Sequence, residues 1–132
     1  MGRPGRPKGS GPVRVGEVAP VYGGVGGALS RLEALIAMLG NNRVARLLDV
    51  SASQTSRWRS SKDRPSPDMI LRIGDLDHVM FRLFGQMHAT VALDWLDAHN
   101  EFIGTTPAEA IEAGEFGLVH SALALEAQGG FL

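Results

Sequence analysis

The 132-residue chain has no cysteine, which excludes a disulfide framework, a thiolate nucleophile and any Cys-based zinc site. It also lacks any uninterrupted apolar run near the roughly 18–20 residues that cross a bilayer. Its basic amino terminus leads into Gly/Pro-rich sequence and not into the apolar core of a signal peptide. Catalytic patterns are missing as well. The four histidines, His78, His88, His99 and His120, are scattered, and no two share a metal-ligand spacing. Asp75 and Asp77 lie two apart on a predicted helix and do not face each other, while Asp94 and Asp97 share a face but read as solvated. The glycines between residues 23 and 27 are neither preceded by a strand nor followed by Gly-Lys-Ser/Thr, so they are no phosphate loop. These absences predict a cytoplasmic, non-enzymatic protein with no cofactor and no membrane partner.

Charge is distributed unevenly along the chain. Residues 1–64 carry 11 Lys/Arg against 4 Asp/Glu, a balance of +7, and residues 65–132 carry 2 against 10, a balance of −8. The net charge of −1 therefore hides a polarised molecule. A basic half suits a polyanion such as nucleic acid, and an acidic half cannot lie on the same polyanion. Two partners are predicted.

Residues 1–27 hold nine of the 17 glycines and four of the seven prolines. With almost nothing at helical spacing they are predicted to form a disordered basic arm, since little apolar area is available to offset chain entropy. From Ala28 the pattern changes. Leu29, Leu32, Leu35, Ile36 and Leu39 recur at three- and four-residue intervals and predict a helix ending at Gly40. Asn42 is the expected cap of a second helix that turns Val44, Ala45, Leu47 and Leu48 inward. After a turn at Asp49 and Val50, Ser51 with Gln54 three residues on predicts a capping box and a third helix over residues 52–60. Pro65 and Pro67 end that stretch. Four more helices are predicted over residues 68–84, 90–98, 107–113 (capped by Thr106) and 115–128. No segment alternates with period two, so the fold class is all-α. The division is an arm (1–27), a DNA-binding bundle (28–64) and a helical partner-binding or dimerisation domain (65–132).

Residues 42–61, NRVARLLDVSASQTSRWRSS, have the pattern of a helix-turn-helix. Such a unit needs one face of its second helix docked on the first and the opposite face free to enter the major groove. The inward set is Val44, Ala45, Leu48, Val50, Thr55 and Trp58. The outward set is Ser51, Ala52, Ser53, Ser56, Arg57 and Ser60, with Arg59 toward the flank. Short serines and an alanine allow the backbone near base edges. Arg57 suits a bidentate contact to guanine, worth roughly 1–3 kcal/mol of discrimination. Arg43, Arg46, Arg59, Lys62 and Arg64 suit phosphates, which set register without reading sequence. Asp49 stands where Gly is usual and tolerates the left-handed conformation better than most residues, whereas Thr55 replaces the usual Val or Ile. A helical hairpin that only looks like a DNA reader shares the same spacing, and the charge asymmetry favours the reader.

In the arm, Gly5-Arg6-Pro7-Lys8, preceded by Arg3-Pro4, resembles the core of an AT-hook, in which an extended Gly-Arg-Pro segment lies in a narrow A·T minor groove. Four residues fit a solvated basic tail equally well. Both alternatives raise DNA affinity and its salt sensitivity.

The second half on its own reads as a helical module with an acidic surface. Its motifs, in order, say more: Phe84-Gly85, Ala92-Leu93-Asp94-Trp95-Leu96, Asn100, Gly104-Thr105-Thr106-Pro107, Ala113-Gly114-Glu115, and a closing helix with a short tail. This series resembles the C-terminal domain of the MbcA/ParS/Xre antitoxin family, whose usual order is helix-turn-helix first and this domain second. The resemblance covers residues 29–132 and leaves the arm outside. It implies a DNA-binding antitoxin that binds a RES-domain, NAD-consuming toxin and represses its own operon; a homodimer is expected because helix-turn-helix proteins commonly read paired half-sites by two-fold symmetry. It further implies that the carboxyl-terminal residues Gly129, Gly130, Phe131 and Leu132 plug the toxin's pocket, with Trp95 and Phe102 packing around the interface. A Gly-Gly hinge before two apolar residues suits insertion into a cleft; a frayed terminus is the plain alternative. The basic arm lies outside the family pattern and keeps open a stand-alone helix-turn-helix repressor with no toxin partner.

Overall fold

The computed structural model describes residues 24–129, which form seven helices. They are α1 (Gly24–Leu39), α2 (Asn41–Leu47), α3 (Ala52–Arg59), α4 (Pro67–Gln86), α5 (Ala89–Asp97), α6 (Pro107–Glu112) and α7 (Phe116–Ala127). The only extended pairing among them is an isolated antiparallel bridge between Asn100 and Thr105. The fold is all-α.

The long helices α1 and α4 lie together, with α2 and α3 against α1, and α7 against α4. The short helices α5 and α6 bridge from α4 and α7 back to α2. One continuous apolar cluster runs through all of them, from Leu32 and Leu35 of α1 through Val44, Trp58, Ile73, Leu76 and Leu83 to Leu96, Ile111 and Leu123. The helices on either side of Pro65 therefore share a single core. Each fully buried Leu or Ile in it contributes roughly 1.5–3 kcal/mol relative to an exposed one.

Side-chain caps explain three of the seven helix starts, those of α3, α4 and α6. Ser66, with Pro67 in the first turn, caps α4 by accepting from the Met69 amide at 3.1 Å. At α6 the capping box is complete: Thr106 Oγ1 accepts from the Glu109 amide (3.1 Å), and Glu109 Oε1 accepts from the Thr106 amide (3.3 Å). Asn100 folds the preceding loop. Its Oδ1 accepts from the Ile103 amide (3.0 Å), and Gly104, at φ +88°, turns the chain back so that Asn100 and Thr105 pair.

Several boundaries depart from the sequence expectation. Helix α1 begins at Gly24 and not at Ala28, so the last residues assigned to the arm form its first turn. The cap of α2 is not Asn42: the helix starts at Asn41 after Gly40, without a side-chain cap bond. The Asn41 side chain is instead used between helices. Only the first half of the expected box at α3 forms, because Gln54 reaches forward to Asp63 (3.1 Å) and not back to the Ser51 amide.

Candidate nucleic-acid interface and partner surface

Two side chains anchor α3, both buried: Thr55, bonded to α2, and Trp58, which lies in the core and lines a hollow with Val25 and Leu29 of α1. The Thr55 hydroxyl donates to Asn41 Oδ1 at 2.6 Å, and Asn41 Nδ2 donates to the Ala52 carbonyl at 3.3 Å. That exchange explains a threonine where an aliphatic residue would only pack. Ala45 is also buried, which brings the two helices close. Asp49 adopts φ +60° and reverses the chain between them. Its amide bonds to the Arg46 carbonyl, and Val50 bonds to Ala45, so the turn is closed by backbone pairs at 3.0 and 2.9 Å.

The opposite face of α3 is open. Ser53, Ser56, Arg57 and Ser60 are exposed and Ala52 is half-buried. Ser51 caps the helix by accepting from the Gln54 amide (3.1 Å), and its hydroxyl lies 3.0 Å from that of Ser53. The hydroxyls of Ser56 and Ser60 donate to the carbonyls of Ala52 (3.2 Å) and Arg57 (3.3 Å). Arg57 Nε stands 3.9 Å from Asp63, whose carboxyl is held below its usual range by the Gln54 and Arg64 hydrogen bonds and by the Arg57 charge. Lys62 is exposed, with its amide bonded to the Arg57 carbonyl (2.9 Å).

Three of the arginines singled out from sequence, Arg43, Arg46 and Arg59, are engaged with carboxylates from distant segments, whereas Arg64 is exposed and its amide donates to adjacent Asp63 at 2.9 Å. Arg43 forks onto Asp97, with Nη1–Oδ1 at 2.9 Å and Nη2–Oδ2 at 3.1 Å. Arg46 Nε donates to Glu112 at 3.1 Å. Arg59 forks onto Glu33 at 3.0 and 3.1 Å. The Arg43 hydrogen bond holds the Asp97 carboxyl below the usual carboxylate range against the opposing effect of burial, and the charges of Arg43 and Arg46 add to the lowering. These partners lie 26 to 66 positions away in the chain, beyond the reach of spacing rules. Arg6, Pro7 and Lys8 fall outside the described residues.

On the acidic side, Trp95 is half-buried and its Nε1 donates to Glu126 at 3.4 Å. It separates two shallow hollows. One, of about 180 Å³, is lined by Ala98, His99 and Asn100; the other, of about 420 Å³, is lined by Met87, Val91 and Ala127. The end of α7 thus lies beside Trp95, and Gly129, at φ +70°, follows it. Phe102 is exposed on the loop before α6. Gly130, Phe131 and Leu132 lie outside the described residues.

Spacing did not reveal that His78 and His120 come together. Their ring centroids are 4.8 Å apart, and Arg82 Nη1 is 2.7 Å from His120 Nδ1. A guanidinium can only donate, so Nδ1 accepts and the imidazole is neutral. Burial, then the charges of His78 and Arg82, push the His120 pKa down accordingly. Among the described residues no cluster of three or more His, Cys, Asp or Glu could hold a metal ion. No helix among them is long and apolar enough to cross a membrane.

No protein-family model matches the sequence, and no curated protein matches it. A chain in the crystal structure of the M. tuberculosis MbcT-MbcA toxin-antitoxin complex has a similar fold. The TM-score is 0.65 at 23% identity, over 79% of this chain and 96% of that one.

Proposed function

We propose that the chain is a DNA-binding antitoxin of a type II toxin–antitoxin system, which neutralises a RES-domain, NAD-consuming toxin and represses its own operon as a homodimer. The observation that carries the DNA-binding part is the two-sided build of α3. Thr55 and Trp58 are buried in the core, while Ser53, Ser56, Arg57 and Ser60 are exposed. That is the division of labour a recognition helix needs in a major groove. In this mechanism Arg57 donates two hydrogen bonds to a guanine edge. Lys62, Arg43, Arg46 and Arg59 hold phosphates, and Arg6, Pro7 and Lys8 of the arm follow the adjacent minor groove. A two-fold dimer places two such helices on paired half-sites.

The fold likeness to a chain of a toxin–antitoxin complex supports the second part. The acidic half, repelled by DNA, is left to the toxin. Trp95 and Phe102 contribute apolar contact, and residues 129–132, starting beside Trp95, enter the toxin's pocket and block its NAD site.

The test is co-expression of this chain with the product of the reading frame beside its gene, with growth and cellular NAD as readouts. Restored growth and NAD, lost again when residues 129–132 are deleted while promoter binding persists, is the expected result. A chain that footprints a palindrome yet protects no cell from any neighbouring product is instead a stand-alone repressor.

A further inference from the structure

We propose that Asp97 and Glu112 serve as internal stand-ins for DNA phosphates, occupying the Arg43 and Arg46 guanidinium groups until a duplex displaces them; this rests on the DNA-binding role proposed above. The two arginines stand three apart on α2, so they project from one side of it. They share an open hollow of about 480 Å³ with Asp97 at the end of α5 and with Glu109 and Glu112 of α6. Arg43 grips both Asp97 oxygens at 2.9 and 3.1 Å, the fork that guanidinium groups also make on phosphate. Arg46 uses only Nε, at 3.1 Å, and its side chain stays 74% exposed. The carboxylates come from the half of the chain with a balance of −8, and the arginines from the half with +7.

Neither pair belongs to the apolar core. Asp97 and Arg46 are exposed, and surface pairs of this kind hold weakly in water. They are strong enough to occupy an arginine in the free protein and weak enough to yield to a polyanion. The acidic half thereby sets how tightly the basic half grips DNA.

Salt gives this device a signature. An arginine that binds a phosphate releases a condensed counterion, which steepens the salt dependence of log K by about 0.9 per contact on B-DNA. When that arginine must first leave a carboxylate, rising salt also screens and weakens the pair it leaves, which opposes part of the counterion-release effect. Wild-type protein therefore shows a shallower salt slope than its count of phosphate-directed arginines implies.

The experiment measures binding of the full-length chain to its promoter duplex across a salt series. It compares wild type, Asp97→Asn/Glu112→Gln, and the control Asp94→Asn/Glu101→Gln, which removes the same charge from exposed positions of the same half. The latch predicts that Asp97→Asn/Glu112→Gln tightens binding about tenfold or more at low salt and steepens the slope by about 1–2, with the control near wild type. Unchanged affinity and slope, or an equal gain in the control, overturns it. Arg57→Ala separates the two levels. If Arg57→Ala impairs binding while the Asp97/Glu112 variant matches wild type, DNA binding stands and the latch falls. If no variant binds a duplex, both fall. Should the double variant lose its helical circular dichroism, Glu112→Gln alone, whose partner Arg46 is already mostly exposed, is expected to give about half the change in slope.

Discussion

Thr55 and Asn41 are joined across the α2–α3 crossing, hydroxyl to side-chain carbonyl, at 2.6 Å. Thr55 is fully buried, so this bond sits where a lost partner is costly. Thr55→Val keeps the shape and leaves Asn41 Oδ1 without its donor. It is expected to lower the unfolding free energy by about 1–2 kcal/mol in urea titration. Asn41→Ala is expected to cost a similar amount, and the double variant less than the sum, because the two residues share one interaction.

Arg57 and Lys62 are predicted to differ in kind. Arg57→Ala is expected to reduce the preference for operator over scrambled duplex by about 5- to 150-fold, the equivalent of 1–3 kcal/mol of base discrimination. Lys62→Ala is expected to weaken both duplexes by the same factor and to shave about 0.9 from the salt slope. Anisotropy titrations on the two duplexes separate these outcomes, and matching behaviour of the two variants contradicts the assigned faces.

Stability is expected to fall with pH in two stages. His120 is half-buried beside His78 and Arg82 and its folded pKa lies below the ordinary 6.5 or so. The unfolded chain therefore binds the proton first, and stability declines as pH drops from about 6.5 through the folded value. Asp97, with its pKa lowered by Arg43, contributes stability above the unfolded carboxylate pKa of about 3.9, and this is lost as pH falls through the depressed folded value. Urea midpoints between pH 7.5 and 2.5 report both. His120→Gln is expected to flatten the upper stage only, and Arg43→Gln the lower stage only.

Gly114 adopts φ +80°, and a Cβ there would meet Arg72 Nη1 at 3.3 Å. Arg72 donates through Nη2 to the carbonyls of Ile111 and Glu112 at 3.1 and 2.6 Å, closing the carboxyl end of α6. Gly114→Ala is expected to destabilise the fold by about 1–2 kcal/mol through left-handed strain alone, and more if Arg72 is displaced. Calorimetric melting of the variant checks this, and an unchanged midpoint contradicts it.

Much of this was legible because it is local. Ser51, Thr106, Pro107 and the inward set Val44, Ala45, Leu48, Thr55 and Trp58 follow from capping chemistry and a 3.6-residue period. Asp49 could be assigned a left-handed turn from its tolerance of positive φ. The misses have equally physical causes. Asn41 and Asn42 are equivalent as caps by sequence, and only the crossing of α3 over α2 gives Asn41 its partner. Gln54 could accept from the Ser51 amide or donate to a carboxylate, and Asp63 came within reach only once the loop after α3 closed on the Arg57 carbonyl. The start of α1 was obscured by glycines, whose low helix propensity the packing around Ala28 and Leu32 overrides. Pairs such as Arg43–Asp97 and His78–His120 join residues tens of positions apart, where no periodicity operates.

The central claim is that α3 meets duplex DNA while the acidic half stays clear of it. Amide spectra of the ¹⁵N-labelled full-length chain, titrated with its promoter duplex, test this directly. The account predicts that resonances of residues 51–62 shift or broaden, that those of the displaced pairs Arg43–Asp97 and Arg46–Glu112 change with them, and that the rest of α5 and α7 hold their positions. Shifts centred on α5 and α7, or no change anywhere at low salt with the fold intact, contradict it.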